Sequence, residues 1–132
     1  MTYIYYASKN SQKGKILHQL LHSGFKKSWM KRCKTLPELT TSLHEPIADV
    51  CAAILLITDR NELDAILALN DILLDIKLII IFSGETDISQ AEVIPLRPSF
   101  MSRTTDIDFA HVMEVLKNIV KNEINWRRSI GC

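Results

Sequence analysis

The residue best placed for chemistry is Asp59, because it follows the most apolar run of the chain, Val50-Cys51-Ala52-Ala53-Ile54-Leu55-Leu56-Ile57-Thr58. A carboxylate at the carboxyl end of a buried central strand stands where open α/β sheets hold their ligands. A plainer role also fits. Asp59-Arg60-Asn61-Glu62 has the spacing of a capping box, and aspartate is among the best N-caps, so the cap takes precedence. Ser83 follows the apolar run Leu78–Phe82, and Arg103 follows the short segment Ser99-Phe100-Met101-Ser102. Their plain readings are a hydroxyl bonded to nearby backbone and a solvated strand-end charge on an apolar stem.

Three further groupings carry chemical side chains. His18 and His22 lie four residues apart on a helical segment and could share a metal, but no third ligand accompanies them, which favours a solvated helix face. Lys26, Lys27, Lys31, Arg32 and Lys34 surround Trp29, a basic and aromatic grouping like that of nucleic-acid surfaces. Lysines on an edge strand also discourage edge-to-edge aggregation, and that reading is the stronger. The loop Ser8-Lys9-Asn10-Ser11-Gln12-Lys13-Gly14-Lys15 offers donors at a helix N-terminus but has neither a Walker pattern nor Gly-x-Gly-x-x-Gly.

The elements that must position these groups alternate between short β-rich runs and helix-period segments, the mark of a parallel sheet covered on both faces. Strands are expected at Tyr3–Ala7, Ser28–Cys33, Cys51–Ile57, Leu78–Phe82 and Ser99–Ser102. The third and fourth are apolar at every position, which marks them as central. Helices are expected over Gln12–Ser23, with Gly24 ending the helix in a left-handed conformation, and from Thr35-Leu36-Pro37-Glu38 to about His44. Others are expected over Asn61–Leu74, briefly over Asp87–Val93, and over Asp106–Trp126, whose stripe of Phe109, Val112, Met113, Leu116, Ile119, Val120 and Ile124 should be core.

Composition sets outer bounds. With 132 residues, residues 1–132 are expected to form one domain, and a net charge of +1 with 23% charged residues argues against a dedicated nucleic-acid binder. No apolar stretch is long enough to span a membrane. Met1-Thr2-Tyr3 runs into an apolar segment without a basic leader, so no signal peptide is expected. Cys33, Cys51 and Cys132 lack metal-ligand spacing and suit reduced thiols in a cytoplasmic protein, with Cys51 read as core.

Together these segments predict a flavodoxin-like (βα)5 three-layer sandwich with a parallel sheet in the order 2-1-3-4-5. The chain resembles, over essentially its whole length, the receiver domain of two-component response regulators, including the chemotaxis members. Tyr3-Ile4-Tyr5-Tyr6-Ala7-Ser8 is similar to the family's first strand, and Gly24-Phe25 to the end of its first helix. Leu55-Leu56-Ile57-Thr58-Asp59 is similar to the third strand and its phosphoacceptor. Ile81-Phe82-Ser83-Gly84-Glu85 looks like the fourth strand with its hydroxyl residue, and Phe100-Met101-Ser102-Arg103 looks like the fifth, with Phe100 at the switch aromatic.

The resemblance implies a role for each of these residues, and the departures qualify those roles. Where the family carries an acidic pair there are Ala7 and Ser8, so no magnesium or other cofactor is expected. Without that metal, phosphoryl transfer to Asp59 should be lost or impaired. Arg103 replaces a lysine and Thr104 a proline, and the loop after Asp59 lacks the family's proline and glycine. The expectation is a non-enzymatic signalling module acting by protein–protein interaction. Its partner, or a second copy, would bind the face made by the fourth helix, fifth strand and fifth helix, where His111, Glu114, Lys117, Asn118 and Lys121 stand. The alternative is a small flavodoxin-like binder of a phosphate-bearing ligand such as FMN over the first loop.

Overall fold

A computed structural model describes residues 2–8, 11–44, 50–74, 76–83, 88–104 and 109–130. Five strands run parallel in one sheet: β1 Thr2–Tyr6, β2 Met30–Cys33, β3 Val50–Ile57, β4 Lys77–Ser83 and β5 Phe100–Thr104, in the order β2-β1-β3-β4-β5. Helices α1 (Gln12–Gly24), α2 (Leu36–His44), α3 (Arg60–Leu67), α4 (Asn70–Leu73) and α5 (Ala110–Ile130) connect or follow them.

The strand period of two divides the core. Tyr3, Tyr5, Ala52, Ile54, Leu56, Ile79 and Ile81 face one side, where they meet Leu17 and Leu21 of α1 and Val112 and Leu116 of α5. Ile4, Tyr6, Ala53, Leu55, Ile57, Leu78, Ile80 and Phe82 face the other, against Leu39 of α2, Leu63 and Ile66 of α3, and Leu73 of α4. Residues 52–57 and 78–82 are buried on both faces, as their unbroken apolarity requires. Burial of each such side chain contributes about 1.5–3 kcal/mol.

Several expected boundaries differ. The single helix predicted over Asn61–Leu74 is two, because the Leu69 N–H turns back to Ile66 O at 2.9 Å in a tighter turn before α4 begins. That break sets Leu73 inside the core and leaves Leu74 exposed. The short helix predicted over Asp87–Val93 is a 3-10 segment, Gln90–Leu96, started by a Ser89/Glu92 capping box. Pro95 inside that segment lacks the N–H an α-helix would use there. Asp87 lies outside the described residues, as do Cys132 and residues 106–108 of the predicted last helix.

Residues Lys27–Trp29 form a 3-10 turn, so β2 starts at Met30 and not at Ser28, and β5 starts at Phe100 and not at Ser99. Gly24 is not left-handed. It is the last residue of α1, and Phe25, in extended conformation, donates its N–H to Leu21 O at 3.1 Å. A Cβ on Gly24 would stand 2.7 Å from Met113 Cε, the flexible tip of a side chain on α5. The fully buried cysteine is Cys33, donating to Ser42 Oγ at 3.4 Å, whereas Cys51 is half-buried near the start of β3, where the sheet opens to solvent.

Candidate functional site at the carboxyl edge of the sheet

Asp59 caps α3. Its backbone is extended (φ −147°, ψ 170°) and its Oδ1 accepts the Glu62 N–H at 2.8 Å. Glu62 returns the interaction one residue earlier than an ordinary capping box: its Oε1 accepts the Thr58 N–H at 3.1 Å and the Thr58 hydroxyl. The same arrangement starts α2, where Thr35 Oγ1 accepts the Glu38 N–H at 3.2 Å and Glu38 Oε2 accepts the Lys34 N–H at 2.7 Å. The difference is burial. Glu38 is exposed, while Glu62 is only 6% exposed and its Oε2 takes the hydroxyl of Tyr6 at the end of β1.

This last bond crosses the crevice between β1 and β3, which is the point where a sheet of this order reverses direction and where ligands commonly enter. Tyr6 is buried, so its hydroxyl needs a partner, and Glu62 provides one. Burial first, and then the bond to Glu62, hold the Tyr6 phenol well above its ordinary pKa. With two donors on Oε1 and one on Oε2, three of the roughly four acceptor sites of this buried carboxylate are taken inside the molecule. Asp59, by contrast, is exposed, with one oxygen committed to the cap.

Ala7 is small for a reason visible in the packing. It is buried, and a Cβ on Gly14 in the first turn of α1 would stand 2.9 Å from the Ala7 Cβ. The approach of α1 to β1 is therefore too close for a carboxylate at position 7 in this backbone. Ser8 is half-buried, with its carbonyl accepting the Ser11 N–H at 3.0 Å, and Ser11 caps α1 by accepting the Gly14 N–H at 3.0 Å. Among the described residues, no group of three or more His, Cys, Asp or Glu side chains is arranged to hold a metal ion. Position 7 offers no side-chain oxygen to a magnesium ion of the receiver kind, and Glu62 already accepts three donors.

Ser83 ends β4 opposite Thr104 at the same edge of the sheet. Arg103 is not the solvated charge its sequence suggests: it is half-buried, its guanidinium lies 5.5 Å from the Phe82 ring centroid, and its Nη2 donates to the carbonyl of Ile88. Phe100 pairs with Ile79 and packs against the α1/α5 core. Ala7, Ser8, Asp59, Ser83 and Arg103 thus share the carboxyl edge, while Phe100 starts its strand at the opposite end.

A second polar region lies along β2, which is indeed an edge strand. Arg32 lies over the Tyr5 ring, 4.7 Å from guanidinium carbon to centroid, and its Nη1 donates to the carbonyls of Ala7 (2.9 Å) and Cys33. His18 stacks on the same Tyr5 at 6.3 Å, and the Nε2 atoms of His18 and His22 are 3.1 Å apart. Lys26 stands 5.5 Å from the Trp29 ring centroid. The Glu62–Tyr6 bond and the Gly14–Ala7 approach were not legible as a site, although a tyrosine in a buried strand and a glutamate in the first helical turn were their signals.

The fold and this edge define a five-stranded, all-parallel, flavodoxin-like α/β domain. Comparison with protein-family models, with curated proteins and with solved structures gives no match to this chain.

Proposed function

We propose that the chain is an atypical receiver-like signalling module that acts by binding a protein, with the phosphorylation chemistry given up. The observation that carries this reading is the hydrogen bond from Tyr6 to Glu62, which closes the β1/β3 crevice with the molecule's own side chains. A site for phosphoryl transfer needs an open carboxylate pocket with a metal to neutralise the transferred group. Here Asp59 serves as a cap and Ala7 sits under the backbone of α1.

Association then falls to the outer face of α5. His111, Glu114, Lys117, Asn118 and Lys121 are exposed, and Val112, Leu116, Ile119 and Val120 of the same helix are buried. A mixed-charge surface of this kind sets orientation and register more than raw affinity. No helix among the described residues is long and apolar enough to cross a membrane.

The test joins two measurements on the full chain. Beryllofluoride with magnesium should not bind at Asp59 at micromolar concentration, and sedimentation of the Lys117→Glu/Lys121→Glu variant should show weakened association with an unchanged melt. Magnesium-dependent beryllofluoride binding would make the chain an active receiver. A flavin absorbance in the purified protein would replace this reading with the ligand binder.

A further inference from the structure

Along the β2 edge, on the face covered by α1, lies a cleft of about 440 Å³ lined by His18, His22, Lys27, Met30, Arg32, Lys34 and Glu38. Three of these side chains carry fixed positive charge. The one carboxylate, Glu38, has an oxygen engaged with the backbone N–H of Lys34. With both histidines neutral the lining therefore carries a net excess of cations, and protonating the histidines increases it. A divalent metal would meet repulsion there despite the His18–His22 spacing.

Arg32 is held in place and not left to swing in solvent. Its guanidinium lies over the Tyr5 ring, and its Nη1 is anchored on the carbonyls of Ala7 and Cys33. Its Nε is buried with no hydrogen-bond partner among the described residues, a group whose desolvation an anion nearby would offset. Pre-ordering a guanidinium fork removes much of the entropy that binding an anion would otherwise cost. His18 and His22, their Nε2 atoms in contact, form the opposite wall and can donate to an oxyanion once protonated.

We propose that this cleft binds a phosphate-bearing small molecule, its phosphate oxygens received by Arg32, Lys34, Lys27 and the His18–His22 pair. The His18 imidazole supports the reading. Burial, and then the neighbouring His22, Arg32 and Lys34, hold its pKa below the ordinary value, so an anion in the cleft should raise it. The site is separate from the β1/β3 crevice and from the α5 face, so it stands or falls independently of the signalling role.

The test is calorimetric and NMR titration of the full chain with inorganic pyrophosphate at low salt. Saturable binding is expected, with the imidazole resonances of His18 and His22 moving and that of His111, on α5, remaining as an internal reference. The Lys27→Glu/Lys34→Glu variant, altered at two exposed positions, should bind about tenfold more weakly. Lys34→Gln alone gives a smaller loss in the same direction and serves if the double variant melts early. Adenosine diphosphate binding more tightly than pyrophosphate would identify a nucleotide as the source of the phosphate; equal affinity would identify the phosphate group alone. Pyrophosphate leaving His18 and His22 unmoved, or binding the charge-reversed variant unchanged, would overturn the proposal. So would a single-stranded oligonucleotide that binds with steep salt dependence while pyrophosphate does not.

Discussion

The crevice between β1 and β3 and the cleft along β2 are both lined by polar side chains, yet their polar groups are used in opposite ways. In the crevice, Glu62 is buried and receives Tyr6 and both donors of Thr58, so most of its bonding capacity is used inside the molecule. Along β2, Arg32 is anchored through one nitrogen while its Nε lacks a partner among the described residues, and lysines stand exposed around it. The position where this fold usually does its work is thus a structural tie. The peripheral edge holds the unspent charge. Location in a fold points to a site only when the side chains there still have something to offer a ligand.

Breaking the tie gives the largest expected effect. Glu62→Ala orphans the Tyr6 hydroxyl and the Thr58 N–H and hydroxyl, and should destabilise the fold by about 3 kcal/mol in denaturant unfolding. A loss below about 1 kcal/mol would mean the crevice is wet and open, and the contrast with the β2 edge would fail.

The buried tyrosines of β1 provide a pH test. Burial raises Tyr3 to about 12 and lifts Tyr5 and Tyr6 further above the ordinary phenol value. Because the folded pKa exceeds the unfolded one, the native state holds more protons above about pH 10. Their contribution is therefore complete below about pH 10 and is lost as pH rises toward the folded values. Melting temperature should fall steeply from about pH 10 upward. Tyr6→Phe should make that fall shallower, and an unchanged slope would show that Tyr6 does not titrate as a buried group.

The smallest effect separates cap from chemistry at Asp59. Asp59→Ala should cost about 1 kcal/mol through the lost cap, while Asp59→Asn, an equally good cap, should stay within about 0.5 kcal/mol of the parent. If partner association responds to Asp59→Asn although stability does not, the carboxylate has a role beyond the cap.

How much of this was legible in the chain follows from the range of the forces involved. Unbroken apolar runs at 52–57 and 78–82 mark strands buried on both faces, so the two central strands and the parallel sheet were readable from local pattern, while the order 2-1-3-4-5 followed from the flavodoxin-like arrangement expected of five such units. The caps at Thr35 and Asp59 were readable too, since a cap joins residues three apart. The sequence by itself therefore determined the class of fold and the caps that start several helices. Only the tertiary structure decided what those residues meet across the chain. Tyr6 reaches Glu62 over 56 positions, Arg32 reaches Ala7 over 25, and the Gly14–Ala7 approach depends on how α1 lies on the sheet. No local periodicity encodes such meetings, because they are set by packing distance between elements and not by spacing within one.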